Sequence, residues 1–66
     1  MTIILNGQER EIAAGTTISG LLGELSLPAT RVAIERNAEI LRKPSFDTLE
    51  LLPGDRLEIV TLVGGG

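Results

Sequence analysis

The sequence predicts one small α+β domain, in which a single helix packs on one face of a mixed β-sheet. Two observations predict this class: an Asn-Gly pair lies between two β-rich runs near the N-terminus, and one helical stripe of aliphatic residues is followed only by further β-rich runs. The chain has 66 residues, so its core must be small.

The first two elements form a predicted hairpin, with strands at 2–6 and 8–13. Asn6-Gly7 favours a tight turn, because both turn residues must adopt a positive φ. The second strand is rich in charged residues, which is typical of an edge strand protected from aggregation.

The helix follows Thr16-Thr17, which offers a hydroxyl N-cap. Its apolar positions recur at i, i+3, i+4 and i+7, which makes one face of an amphipathic helix. These positions are Ile18, Leu21, Leu22 and Leu25. Pro28 ends this helical region.

Three strands follow the helix, at 31–36, 39–41 and 56–63. Asn37-Ala38 and Pro53-Gly54-Asp55 are the turn signals that precede the second and third of them. Phe46, the one aromatic residue, is expected to fill the core beneath the irregular connection between them.

The predicted order is therefore β-β-α-β-β-β. A helical crossover of this length allows the first strand to pair in parallel with a later one. This is the architecture of the β-grasp, or ubiquitin-like, fold.

Alternation along the last strand separates a covered face from an open face. Leu57, Ile59 and Thr61 point one way, whereas Arg56, Glu58, Val60 and Leu62 point the other way. Because one helix covers only one face, Val60 and Leu62, with Ile4 from the first strand, are predicted to form an exposed partner-binding surface.

The composition argues against several classes of function. The chain has no His and no Cys, so a neutral-range base, a thiolate and a nitrogen or sulfur metal ligand are missing, and no metal site is expected. Its net charge of −3, without a basic stripe, argues against nucleic-acid binding. No apolar run is long enough to span a membrane, and we expect a cytoplasmic protein that is monomeric when free. Its size argues against a self-sufficient enzyme.

The sequence closes on Val63-Gly64-Gly65-Gly66, which we predict to be a tail of three glycines, 64–66, after a domain at 1–63. Glycine has no Cβ, so such a tail can enter a narrow slot in a partner and place the carboxylate of Gly66 there. Fraying of an unused terminus is the simpler alternative. A carboxylate must be activated before it reacts, and the chain has no phosphate-binding loop. A separate ATP-using enzyme is therefore expected.

Five stretches of the chain form one recognisable pattern: Leu5-Asn6-Gly7, Ala14-Gly15-Thr16-Thr17-Ile18 with Leu21-Leu22, Val32-Ala33-Ile34-Glu35-Arg36-Asn37, Leu52-Pro53-Gly54-Asp55-Arg56-Leu57-Glu58-Ile59 and Val63-Gly64-Gly65-Gly66. Together they resemble the small sulfur carriers of thiamine biosynthesis, the ThiS family. The resemblance covers nearly all of the chain.

This resemblance implies a sulfur carrier that is a co-substrate and not an enzyme. It implies that Gly66 is adenylated by an E1-like enzyme of the ThiF type, which uses ATP, and that the carrier itself binds no cofactor. It further implies conversion to a thiocarboxylate with sulfur from a cysteine-desulfurase-derived persulfide. A thiazole synthase of the ThiG type would then take the sulfur, with Val63, Gly64 and Gly65 as the partner-binding tail.

Three alternatives stay open on the sequence alone. A molybdopterin-type sulfur carrier and a ubiquitin-like protein modifier share the fold and the Gly-Gly end. A plain interaction module would use the open sheet face and leave the tail without a role.

Overall fold

The computed structural model describes residues 1–62. It confirms an α+β domain with one helix on one face of a mixed five-stranded sheet. The predictions for Val63 and for the tail at 64–66 lie outside the described residues.

The five strands are ordered β2-β1-β5-β3-β4 across the sheet, which confirms the β-grasp topology. β1 pairs antiparallel with β2 and parallel with β5, while β3 pairs antiparallel with both β5 and β4. The strands are β1 Thr2–Leu5, β2 Gln8–Glu11, β3 Val32–Arg36, β4 Glu39–Ile40 and β5 Arg56–Thr61.

All five strands are shorter than predicted, and β2 and β5 stop early because their partner strands end there. β2 stops at Glu11, which is paired with Thr2 at the start of β1; Ile12 still donates its N–H to the Met1 carbonyl at 2.8 Å. β5 stops at Thr61, which is paired with Val32 at the start of β3.

The helix α1 spans Ile18–Glu24 and begins as predicted at a Thr17 N-cap, whose hydroxyl accepts the Gly20 N–H at 3.1 Å. It ends before Pro28, because Ser26 adopts φ 57° and the Leu27 N–H returns to the Leu22 carbonyl at 2.9 Å. This left-handed cap closes the helix without a glycine. Two 3₁₀ turns, Ala29–Arg31 and Lys43–Ser45, complete the connections.

The core lies between α1 and the covered face of the sheet. Phe46 is 2% exposed and fills the space beneath the connection before β5, as predicted. The remaining buried apolar side chains are aliphatic: Ile3, Ile12, Ile18, Leu21, Leu22, Val32, Ile34, Leu51, Leu57 and Ile59. No helix within residues 1–62 is long and apolar enough to cross a membrane.

Candidate functional site

The site is built on β5, the central strand, from which the chain continues towards its terminal glycines. β5 is paired on one edge with β1 and on the other with β3. Its inward residues Leu57 and Ile59 are buried, whereas the outward Val60 and Leu62 are 58% and 50% exposed. The predicted facing of the last strand is therefore right at these four positions.

Ile4 lies on the same open face but does not adjoin Val60 and Leu62. It is paired with Arg56, which precedes Val60 by four residues, or about 13 Å of strand. The structure therefore brings two of the three predicted surface residues together and places the third at the other end of β5.

Ile4 instead helps to line a shallow depression of ≈ 240 Å³ on the open face. Glu35 and Glu58, which are directly opposite each other on β3 and β5, line it together with Arg56 and Ala38. Like charges at directly opposed positions destabilise a sheet. The lining of the depression is mixed, with aliphatic side chains beside charges of both signs.

Ile40 is an exposed aliphatic residue that the sequence analysis missed as a surface candidate. It is 79% exposed and pairs with Glu35, so it lies on the open face at the β4 edge. β4 contains only two residues, so no alternation was available to reveal its facing. Leu52, in the turn before β5, is also 58% exposed.

The side chain of Asn6 extends the pairing of β1 beyond the end of that strand. Its Oδ1 accepts the Ile59 N–H at 2.8 Å and its Nδ2 donates to the Ile59 carbonyl at 3.4 Å. The backbone of Asn6 has turned away at φ 49°, in the predicted Asn-Gly turn. A side-chain amide thus occupies the place of the next backbone unit of β1 and holds the middle of β5.

Asp55, which is buried, anchors the start of β5 in a partly buried polar network. Its Oδ2 accepts hydrogen bonds from the Leu52 N–H at 2.8 Å and from Nε of Arg36 at 2.9 Å, and its Oδ1 accepts from Asn37 at 3.2 Å. The Arg36 Nη2 lies 2.8 Å from Oδ2, and both side chains of this ion pair are largely buried.

Asn37 links this network directly to β5. Its Oδ1 accepts the Arg56 N–H at 3.0 Å, and its own N–H donates to the Arg56 carbonyl at 2.8 Å. Asn37 and Ala38 adopt φ of 50° and 71°, which confirms the predicted tight turn. The sequence indicated a turn at Asp55 but gave no sign of its bond to a distant arginine.

The environment of Asp55 moves its pKa in two opposing directions. Burial raises the pKa, whereas the hydrogen bonds from Leu52, Asn37 and Arg36 and the charge of Arg36 lower it. The lowering prevails, and the pKa of Asp55 lies below its ordinary value of 3.8. The carboxylate is therefore ionised at neutral pH and stabilises the fold in that form.

Chemistry-bearing groups are sparse in the part of the chain that the structure describes. Residues 1–62 contain no group of three or more His, Cys, Asp or Glu side chains that could hold a metal ion. Of the predicted site, Ile4, Val60 and Leu62 are described, while Val63, Gly64, Gly65 and Gly66 lie outside the described residues. The described part of the predicted site is thus a surface on the open face of the sheet.

A model of the ThiS family matches residues 3–66. The chain belongs to the ThiS family. It is 41% identical over 63 residues to the sulfur carrier protein ThiS of Bacillus subtilis (strain 168), a match that covers 94% of this chain and 96% of that protein.

Solved structures support the same assignment. The crystal structure of the thiamine biosynthesis protein (ThiS) from Geobacter metallireducens matches with a TM-score of 0.85 and 30% sequence identity, over 100% of both chains. The β-grasp architecture described above is thus also that of a solved protein of this family.

A longer protein also contains a segment similar to this chain. The thiazole synthase of Paramagnetospirillum magneticum (strain ATCC 700264 / AMB-1) is 46% identical over 66 residues, which are 100% of this chain and 20% of that protein. The chain therefore spans about a fifth of the length of this relative.

The Asp55 network predicts how the free energy of unfolding depends on pH. Asp55→Asn should lower the free energy of unfolding at pH 7 by about 2–4 kcal/mol, because it leaves the buried Arg36 without a charged partner. A lowered folded-state pKa contributes stability above the unfolded-state pKa and loses it as pH falls through the folded value. The difference between the two proteins should therefore shrink below about pH 3.8.

Urea denaturation from pH 7 to pH 2.5 would measure this difference. Glu50→Gln is the matched control, because the Glu50 side chain is exposed and should change stability by less than about 0.5 kcal/mol at any pH. A constant difference for Asp55→Asn across the range would contradict the assigned role of the carboxylate.

The facing of β5 generates a second prediction. Val60→Glu should cost less than about 1 kcal/mol, since Val60 is 58% exposed, whereas Ile59→Glu at the adjacent buried position should cost more than about 3 kcal/mol or unfold the domain. Urea denaturation of both variants checks this. Equal losses for the two would contradict the separation of covered and open faces.

Proposed function

We propose that this chain is a sulfur carrier for thiazole formation in thiamine biosynthesis and that its C-terminal Gly66 carries the sulfur as a thiocarboxylate. The observation that carries the proposal is the match to the ThiS family over residues 3–66, which includes the paired glycines Gly65 and Gly66. The Bacillus subtilis protein, named a sulfur carrier, matches over almost its full length.

The proposed chemistry begins with the Gly66 carboxylate, which is a poor electrophile at neutral pH. Attack of a carboxylate oxygen on the α-phosphorus of ATP releases pyrophosphate and gives an acyl-adenylate. A persulfide sulfur derived from cysteine then displaces AMP, and reduction of the resulting acyl disulfide by a thiol releases the thiocarboxylate. Apart from the Gly66 carboxylate itself, none of these steps requires a base or a nucleophile from the carrier.

The folded body has a positioning role in this proposal. Because β5 is the central strand, it is hydrogen-bonded to β1 and the Asn6 side chain on one edge as far as Ile59. On the other edge its pairing with β3 continues to the Leu62 N–H, next to the tail. Val60 and Leu62 lie exposed beside that start and provide an apolar contact for the protein that receives the tail. Three or four residues of tail extend at most about 10–14 Å, which is enough to bring Gly66 into an enclosed site while the body docks outside.

The proposed partners are an E1-like adenylating enzyme, a thiazole synthase and a persulfide donor. The thiazole synthase is supported by the relative of that name, a fifth of which resembles this chain. ATP is a substrate of the adenylating enzyme, so we expect the carrier itself to bind no cofactor. We place the reaction in the cytoplasm, because it needs ATP and a compartment that keeps thiols reduced.

Intact mass measures the proposed reaction directly. Incubation with the adenylating enzyme, ATP and a persulfide donor should add about 16 Da, since one carboxylate oxygen is replaced by sulfur. Deletion of Gly65 and Gly66 should abolish the gain and leave the stability unchanged, because glycine contributes no buried side chain. Val60→Glu should slow the reaction by weakening docking.

A chain of full length that ends in a carboxamide is the matched control, since it keeps every residue and blocks only the reacting group. Mass gain by the amidated or deleted chain would contradict the proposal. Stable conjugates with other proteins would instead indicate a modifier, and delivery of sulfur to a pterin precursor but not to thiazole synthase would indicate a molybdopterin-type carrier.

A further inference from the structure

Three exposed cations lie where the described chain approaches the tail. They are Arg31, Arg42 and Lys43, which we call the tail-base cluster. They account for half of the six basic residues of a chain whose net charge is −3. Positive charge is therefore concentrated at one place on an otherwise acidic protein.

Two hydrogen bonds fix the cluster to the base of the tail. The Leu62 N–H donates to the Arg31 carbonyl at 2.7 Å, so the last described residue is paired with a residue of the cluster. The Lys43 Nζ donates to the carbonyl of Thr30, next to Arg31, at 3.3 Å. Arg42 is adjacent to Lys43 in the chain.

The cluster is not neutralised within residues 1–62. The ion pairs there join the Met1 ammonium group to Glu11, Arg10 to Glu24, and Arg36 to Asp55. No carboxylate of the described residues lies within 4.0 Å of a cluster nitrogen. Exposed charges without a partner attract an opposite charge from outside the molecule.

Acidic side chains outnumber the one arginine, Arg56, on the rest of the open face. Glu35 and Glu58 stand opposite each other on β3 and β5, and Glu9 and Glu11 lie on β2. Glu9 and Glu11 pair with Ile4 and Thr2 of β1, at the end of the sheet remote from Leu62. Negative charge therefore predominates on the sheet away from the tail, and the tail-base cluster lies at the tail end.

We propose that the tail-base cluster docks against an acidic rim, formed by Asp and Glu side chains, around the slot of the protein that receives the tail. This inference rests on the proposed function and names the chemistry of the partner surface. The exposed Leu62 is bonded to the backbone of Arg31, and Val60 is paired with Ala33 nearby. The partner is therefore expected to present an apolar contact next to its acidic rim. Complementary charge of this kind raises the rate of productive encounter and selects one orientation.

This difference in charge also disfavours docking through the acidic end of the sheet. If the acidic end of the face met the same rim, like charges would repel, whereas the tail end meets it with opposite charge. The carrier therefore approaches with the tail leading.

The test compares the triple variant Arg31→Gln, Arg42→Gln, Lys43→Gln with Arg56→Gln. Arg56 is an exposed arginine without an ion pair in the described chain, and it precedes Leu62 by six residues, or about 20 Å along β5. Each single variant loses one positive charge, as Arg56→Gln does; these variants are Arg31→Gln, Arg42→Gln and Lys43→Gln. The probe is the adenylating enzyme of the same organism, and pyrophosphate release gives kcat and KM for each carrier.

The triple variant should lower kcat/KM by roughly tenfold or more at low salt, with kcat at saturation nearly unchanged, and each single variant by roughly 1.5- to 5-fold. The loss should fade as ionic strength rises from about 0.05 M to about 0.5 M, because salt screens exposed charges. Arg56→Gln should change kcat/KM by less than about twofold.

Equal losses for Arg56→Gln and the single cluster variants would overturn the proposal, since net charge alone would then explain them. Unchanged kcat/KM in the triple variant would also overturn it. Failure of the unsubstituted carrier to be adenylated would count against the proposed function instead, and binding of the same variants to thiazole synthase, measured by calorimetry, would then decide the role of the cluster by the same criteria.

Discussion

The pairing of β5 on both edges is the constraint on which the rest of the structure depends. A central strand cannot move without breaking its bonds to β1 and β3, and in this chain two asparagine side chains add to them. Asn6 bonds both polar groups of the Ile59 backbone, and Asn37 accepts the Arg56 N–H at the start of the strand. Both asparagines adopt a positive φ in tight turns. The backbone there leaves the strand, and the side-chain amide continues the hydrogen bonding to β5.

The second constraint is the burial of one ionised carboxylate. Asp55 joins the turn before β5 to Arg36 at the end of β3 and to the turn that follows it. In a chain with so few buried side chains, a satisfied ion pair fixes the register of β5 against β3 where hydrophobic contacts alone would be less selective. A shift of one residue would expose Leu57 and Ile59 and bury Val60, so register also determines which surface a partner meets.

In the proposed function, the folded body positions the tail, and separate partner enzymes perform the chemistry. The body provides a rigid strand, an apolar patch and a charge pattern, and the reacting group is expected at the end of the tail. Such a division is consistent with the composition, because a chain without His or Cys has few groups that could perform catalysis near neutral pH. Because the body only has to position the tail, a domain with a small aliphatic core is sufficient for the proposed role.

Most of the fold was predictable because its signals are local. Asn6-Gly7, the stripe from Ile18 to Leu25 and the alternation through Leu57 and Ile59 each identify an element or its facing from neighbouring residues. The misses are non-local. Nothing near Asp55 in sequence indicates Arg36, nothing near Asn6 indicates Ile59, and the end of β2 is set by where β1 begins.

The candidate site could likewise be predicted only where its signals are local. Val60 and Leu62 were predictable from alternation, whereas the separation of Ile4 from them depends on the parallel register of β1 with β5. Ile40 was missed because a two-residue strand has no period. The tail-base cluster comes from two separate segments, around Arg31 and Lys43, which only the fold brings together beside Leu62.

Native-state hydrogen exchange at the Ile59 amide tests the central claim most directly. If β5 is held on both edges, this amide should exchange only through global unfolding, so its exchange free energy should equal the unfolding free energy from urea denaturation within about 1 kcal/mol. Exchange through a local opening, several kcal/mol below that value, would contradict a rigidly held central strand.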